Sequence, residues 1–341
     1  MQRLRELILQ LAVRGNLVEQ NENDEPASVL LERVETEKER LIRQKVIKKK
    51  ELLPPIEADE IPCVLAKGWE WVRLGNIARF IDYRGNTPPK TESGVKLITA
   101  KNVRMGFIND EPKEYISEVT YEKWMTRGFP RVGDLLFTTE APLGNIGQLL
   151  TEKKIALAQR VIDFQTFSNL FPQYLKISLM SPMLQNLILL KATGMTAKGI
   201  KAAKLKLILV PIPPIEEQRR IVSKVDQLMS LCDELEARQQ KKRETRAHLN
   251  SAALDRLLAA RAPEDFAEGW RRISDNFDLL YDAPENVGAL RKAILGLAVM
   301  GKLVAQDEKD ESASVLMEKI KAEKERLIKE IKSRKMSYCN W

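Results

Sequence analysis

The chain has 341 residues, 44% hydrophobic and 30% charged, enough apolar content for a packed core spread over two or three structural units. Its three cysteines, Cys63, Cys232 and Cys339, are far apart and none forms a Cys-x-x-Cys pair, which excludes a disulfide framework or a cysteine zinc site and points to reduced thiols. The formal net charge is +8. No apolar run approaches the roughly eighteen residues that span a bilayer, and the N-terminus lacks the succession of a signal peptide, so a cytoplasmic protein without membrane contact is expected.

Residues 1–50 read as a helical arm. A short apolar helix stops at Gly15, where a left-handed C-cap fits, and an acidic turn leads to a longer helix with Leu30, Val34 and Leu41 on one face. Asp24 is the expected N-cap of that second helix, with Pro26 in its first turn. Residues 51–67 form a linker.

Residues 68–213 change texture to short β-type runs, Trp71–Leu74, Val95–Ile98, Asp134–Phe137 and Ile146–Leu150, separated by Gly, Pro and Asn. A helical stretch over 171–190 follows, and then a Gly and Lys loop feeding a last strand before Pro213 and Pro214. The whole charge excess lies here. Residues 68–214 hold 20 Lys and Arg against 12 Asp and Glu, and 164–214 hold six lysines and no acid, a one-signed surface suited to a polyanion.

Two turn-rich loops offer residue types that read DNA: Tyr83, Arg84, Asn86, Thr87 and Lys90 in 82–90, and Lys101, Asn102 and Arg104 in 100–106. The lysine loop adds Thr196, Lys198 and Lys201 as phosphate contacts, with Thr193 beside them. The polar turn 138–145 is placed in the same groove.

Residues 214–262 read as one long helix. Ile221, Val225, Leu228, Cys232 and Leu235 recur at steps of four and three, a coiled-coil stripe that requires a partner helix. Some 45 residues would extend roughly 65–70 Å, the length of a spacer. A linker with a short helix (263–288) leads to a second arm, 289–341. Over 39 positions, 290–328 repeats 4–42 without a gap and with 25 identities, so Gly301, Leu316, Ile320 and Leu327 repeat Gly15, Leu30, Val34 and Leu41. The fold expected is α+β, one mixed, mainly β recognition domain flanked by long helices forming coiled-coil arms.

Residues for covalent chemistry are missing. The single histidine, His248, falls inside the long helix, and no Gly-x-Gly nucleotide fingerprint or Asn-Pro-Pro-aromatic stretch occurs. The run 296–302 begins like a phosphate loop, but Leu303 stands where Ser or Thr would hold magnesium. A nuclease site from Asp134 and Glu140 is a poor alternative, because no lysine pattern supports it.

Four stretches carry a family resemblance: GWEWVRLGNIA (68–78), DYRGNTPPK (82–90), GDLLFT (133–138) and above all VPIPPIEEQRRIVSKVDQLMSLCDELEA (210–237). With the helical repeats they resemble the specificity subunit of type I restriction-modification enzymes. The resemblance implies a non-catalytic subunit that recognises double-stranded DNA as two half-sites held apart by long helices. It further implies modification subunits that methylate adenine with S-adenosylmethionine, and a restriction subunit that cleaves with ATP and Mg, so that this chain itself holds no cofactor. Family members usually carry two recognition domains and this chain shows one: it is either a truncated product or a half-subunit, and the seam and the similar arms favour the second, so self-association of two half-subunits through the long helices is expected. A coiled-coil adaptor whose middle domain binds protein or RNA is the alternative; it leaves the localised positive charge without a role.

Overall fold

The computed structural model describes residues 1–47, 53–83, 87–167, 170–194, 197–304, 307 and 309–337, the last six by backbone alone. It divides into two compact units, Met1–Glu236 and Ala237–Trp341.

The first unit opens with α1 (Gln2–Val13) and α2 (Ala27–Arg43). Gly15 has φ +71°, and the Asn16 N–H donates to Leu11 O at 3.0 Å, the long bond of a Schellman ending. A Cβ there would also lie 2.9 Å from Ala66 Cβ, so glycine serves both the turn and the approach of the linker. The start of α2 departs from expectation. Pro26 is the N-cap residue and offers no side-chain acceptor, while Asp24 pairs with the Arg220 guanidinium instead of capping. A two-pronged pair with a guanidinium, charged on both sides, outweighs a single bond from the carboxylate to a neutral backbone N–H.

The middle of this unit runs through β1 (Glu70–Arg73), α3 (Leu74–Ile77), β2 (Ala78–Asp82), β3 (Val95–Ile98), β4 (Tyr115–Ile116), α4 (Glu118–Trp124), β5 (Leu135–Thr139), β6 (Leu143–Gln148), β7 (Ile155–Leu157) and β8 (Val161–Thr166). It continues through α5 (Pro172–Met180), α6 (Pro182–Lys191), α7 (Ala202–Leu205) and β9 (Leu209–Ile212) into α8 (Ile215–Ala259). The helical stretch is split because Pro182 has no N–H to continue α5; Ser181 Oγ instead accepts from Leu184 N at 3.3 Å and starts α6.

The strands form three sheets. β1 pairs antiparallel with β9 and ties the start of the domain to its end. β2, β8, β5 and β6, in that order, form an antiparallel sheet, and β4, β3 and β7 form a mixed one in which β3 runs parallel to β7. Phe137 and Phe164 stack at 5.5 Å in the main core, where Tyr174 is sealed by its hydroxyl donating to Pro211 O at 2.9 Å. The α+β class, with a mixed middle domain and long helices, is observed.

The stripe on α8 finds its partner within the chain. Ile221, Val225 and Cys232 are buried in the same cluster as Ile8, Leu9 and Ala12 of α1, with Leu228 against it. Arg5 bonds Asp233 at 2.8 Å and Glu236 at 2.6 Å beside them. The expectation that this seam awaits a second chain is corrected over 221–232: the first arm already covers it. Only Leu235 at its end is exposed.

In the second unit, Leu254 and Leu257 of α8 share a core with α9 (Pro263–Asp275), α10 (Phe277–Leu280) and α11 (Pro284–Val299). Gly301 repeats the left-handed ending at φ +68°, with Lys302 N donating to Leu297 O at 2.9 Å. Lys302 Nζ closes the end of α8 by donating to Leu258 O at 3.1 Å and Ala260 O at 2.6 Å. α12 (Ala313–Ser337) follows, and its Leu316, Met317, Ile320 and Leu327 are exposed.

Candidate nucleic-acid interface

Strand directions gather the polar loops at one end of the four-stranded sheet. Asp82 pairs opposite Ile162, Thr138 opposite Val161 and Thr139 opposite Leu143, so β2 and β5 finish where β6 and β8 begin. The segment after β2, the β5–β6 turn (140–142) and the β7–β8 turn (158–160) therefore share that end. β3 delivers the next loop to the same place, because Ala158 N donates to Ile98 O at 2.9 Å. Asn145 Nδ2 then holds Val103 O at 3.0 Å, and Gly106 N donates to Ile146 O at 2.8 Å. Gly147 permits this: a Cβ would fall 2.6 Å from Phe107 O. On the other flank Gly199 bridges both Glu140 and Thr193, and Ile200 N donates to Thr139 O at 3.0 Å.

Of the residues the sequence nominated, Thr87, Lys101, Arg104, Lys198 and Lys201 are exposed on these loops. Lys90 is exposed too, but its ammonium sits 2.8 Å from the Glu114 carboxylate. Arg84, Asn86 and Thr196 lie outside the described residues. Thr193, also exposed, stands at the mouth of the lysine loop.

Two nominations need correction. Tyr83 is buried, stacked on Trp124 at 5.9 Å, with its hydroxyl donating to Gly128 O and accepting from Arg127 N and Gly128 N. It pins the segment after β2 and presents nothing to a groove. Asn102 is also fully buried: Oδ1 accepts from Thr99 N and Thr99 Oγ1, and Nδ2 donates to Asn109 O and Pro112 O. All its bonding capacity goes to folding the 99–112 loop. Asn102→Ala is therefore expected to cost about 2–3 kcal/mol by stranding buried partners and to weaken DNA binding indirectly by loosening Lys101 and Arg104. Chemical denaturation and a DNA titration of one preparation check both effects.

The sequence reading missed Gln159 and Arg160, which lie between the two basic loops. Arg160 O accepts from Thr139 N at 3.0 Å, fixing the turn to β5, and the Arg160 guanidinium lies 3.8 Å from the Glu140 carboxylate. Their only sequence signal is a lone Gln-Arg pair just before a β-type run. Asp134 and Glu140, considered together as metal ligands, fall at opposite ends of β5. Among the described residues no group of three His, Cys, Asp or Glu is placed to hold a metal ion.

A family model described as the type I restriction modification DNA specificity domain matches residues 66–244, just over half the chain. The chain belongs to that specificity family. The type I restriction enzyme EcoAI specificity subunit of Escherichia coli is 36% identical over 98% of this chain and 57% of its own length. The EcoEI specificity subunit of the same organism is 35% identical with the same coverage. The chain thus spans under three fifths of these relatives. The solved HsdS subunit from Thermoanaerobacter tengcongensis aligns at 22% identity and TM-score 0.41, over 70% of this chain and 52% of that one.

The most diagnostic stretch of this specificity-family chain has a structural explanation. Where β9 leads into α8, three polar anchors within four residues fix the helix to three different parts of the first unit. Glu217 accepts from Trp69 Nε1 at 3.0 Å, Gln218 reaches Phe171 N at 3.2 Å and Pro213 O at 2.9 Å, and Arg220 holds Asp24 of the arm. Burial pushes the Glu217 carboxyl up, against the Trp69 bond that stabilises its charged form. The Glu-Glu-Gln-Arg-Arg run is the joint between recognition domain, arm and long helix.

Proposed function

We propose that the chain is a non-catalytic DNA-reading scaffold that recognises one half of a split duplex sequence. Carrying this reading is one observation: Lys101, Arg104, Lys198 and Lys201, none ion-paired among the described residues, stand on loops at one end of one sheet. Free cations on a common surface release counterions from a duplex, whereas cations already paired with carboxylates gain little. In this reading modification subunits dock on the helices and transfer methyl groups from S-adenosylmethionine to adenine. A restriction subunit cleaves with ATP and Mg, and the assembly works in the cytoplasm.

A second copy of the chain supplies the second half-site. Support comes from the repeat, since the α2 face is buried with Trp69 and Val72 while the matching α12 face is exposed. Another copy's recognition domain, placed on α12 as the first is on α2, would cover it and relate two half-sites by a two-fold axis. Light scattering is expected to show dimers; monomers alone, with and without modification subunit, remove this part.

Co-expression with the modification subunit and mapping of methylated adenines tests the whole. A split palindromic motif is expected, and absence of any sequence-dependent methylation overturns the reading. Lys198→Ala and Lys201→Ala are each expected to reduce the slope of log affinity against log salt by about 1 and to weaken all sequences alike. Fluorescence anisotropy on a short duplex from low to moderate salt measures this.

A further inference from the structure

Between the β5–β6 turn, the β7–β8 turn and the described residues 193 and 197–201 lies a recess of about 400 Å³. Thr139, Glu140, Gln159, Arg160, Thr193 and Lys201 line it. Its backbone is tied on every side: Thr193 and Gly199 exchange two hydrogen bonds of 2.8 and 2.9 Å, Ile200 N reaches Thr139 O, and Thr139 N reaches Arg160 O. On this frame Thr139 Oγ1 also donates to Arg160 O at 3.3 Å, while the tips of Gln159 and Arg160 are left accessible. Gln159 makes no side-chain hydrogen bond among the described residues, and the Arg160 side chain keeps 47% of its accessibility.

The charges inside the recess separate it from the surrounding lysines. Lys101, Arg104 and Lys198 offer only positive charge, which suits phosphate. The recess adds the Glu140 carboxylate to the Arg160 guanidinium and the Lys201 ammonium, so it offers an acceptor beside its donors, which a phosphate cannot use. Base edges present donors and acceptors together, and carboxylate, carboxamide and guanidinium are the groups that match cytosine, adenine and guanine. Glu140 approaches Arg160 on its Nε side, at 3.8 Å, which leaves the two terminal nitrogens to make a forked pair with one base.

We infer that this recess is a base-edge reading site for duplex DNA, with Arg160 and Gln159 as specificity-determining residues and Glu140 positioning Arg160. The inference rests on the DNA-reading function proposed above. Lys198 and Lys201 then grip the flanking phosphates, so one loop supplies affinity while the β7–β8 turn supplies choice.

The test is methylation mapping with the co-expressed modification subunit for the wild-type chain, Arg160→Lys, Gln159→Ala and Lys198→Ala. Arg160→Lys keeps the charge but loses the planar fork, so affinity for unrelated duplex is expected to stay within about twofold. Discrimination at one base position should fall by about tenfold or more, relaxing or changing the methylated motif there. Gln159→Ala removes no side-chain hydrogen bond among the described residues and is expected to relax a neighbouring position, while Lys198→Ala lowers methylation everywhere without altering the motif. A wild-type motif retained at every position by both Arg160→Lys and Gln159→Ala overturns the inference and leaves the DNA-reading function standing. A wild-type chain that neither binds duplex at low salt nor directs methylation overturns both.

Discussion

Leu30→Ala is expected to lower the unfolding free energy by about 3 kcal/mol, whereas Leu316→Ala, the same substitution in the duplicated arm, should change it by less than about 0.5 kcal/mol. The two leucines occupy matching positions of a repeat with 25 identities in 39, so local helix propensity is nearly equal and cancels from the comparison. Their surroundings differ. Leu30 is 2% exposed in the cluster that holds Trp69, Val72 and Leu74, and truncating it opens a cavity walled by the domain that follows. Leu316 is 53% exposed, so its truncation removes little buried surface. Val34 and Ile320 repeat the contrast at 2% and 53%. Urea unfolding of the full chain at low micromolar concentration measures both variants, with the loss for Leu30→Ala falling in the transition of the first unit. A loss for Leu316→Ala that grows with protein concentration is the signature of a second copy seated on α12. Equal losses at every concentration sink the comparison.

The contrast shows what a sequence conveys and what it leaves to tertiary structure. The two arms, their left-handed glycine endings at Gly15 and Gly301, and strand cores such as Val95–Ile98 were legible because each has a local cause: a required positive φ, a hydrophobic period, or a β-branched run between breakers. The stripe on α8 was legible as needing a partner. Its partner was not, because a heptad pattern specifies an apolar seam and not whose helix fills it; Arg5 and the α1 cluster supply the answer within the chain.

The candidate site divides in the same way. Positive charge locates the loops, yet burial decides which polar residues are free, and burial is not a local property. Asn102 and Tyr83 are of the types that contact DNA, but they are also of the types that satisfy the backbone of an irregular loop, and the fold uses them for the second purpose. Arg160 escaped notice because a three-residue turn carries no charge run. Only the pairing of β5 with β8 brings it between Glu140 and the lysine loop.

Asp163→Asn is expected to stabilise the protein increasingly as pH rises. Asp163 lies on β8 and is fully buried; among the described residues no donor reaches its carboxylate oxygens, and only the Asp134 carboxyl stands within hydrogen-bonding reach, which requires a proton between the two. Burial first, and the negative charge of Asp134 second, push its carboxyl well above the ordinary value of 3.8; Arg79 and Arg131 oppose this only in part. Asp134 accepts from Arg131 N and Gln165 Nε2, and burial raises it as well. The pair therefore keeps a proton that two exposed aspartates would have lost.

For a carboxyl raised in the folded state, the stability it contributes is fully present below its unfolded pKa of 3.8 and is lost as pH rises through the folded value. Asparagine has the same shape and cannot ionise, so the variant does not suffer that loss. Its advantage over wild type should grow by up to about 1.4 kcal/mol per pH unit across that window and then level off. Urea midpoints at pH 4, 5, 6 and 7, starting beside the unfolded value of 3.8, measure it. An advantage that stays constant over the four values rules out Asp163 as the titrating group. Asp134→Asn removes the neighbouring charge and should narrow the window by letting Asp163 ionise at lower pH. β8 also leads out of the turn that carries Arg160, but the loops at that end are held by backbone bonds to Thr139 that do not involve either acid. DNA affinity at fixed salt should therefore stay flat over the same pH range until the domain itself unfolds.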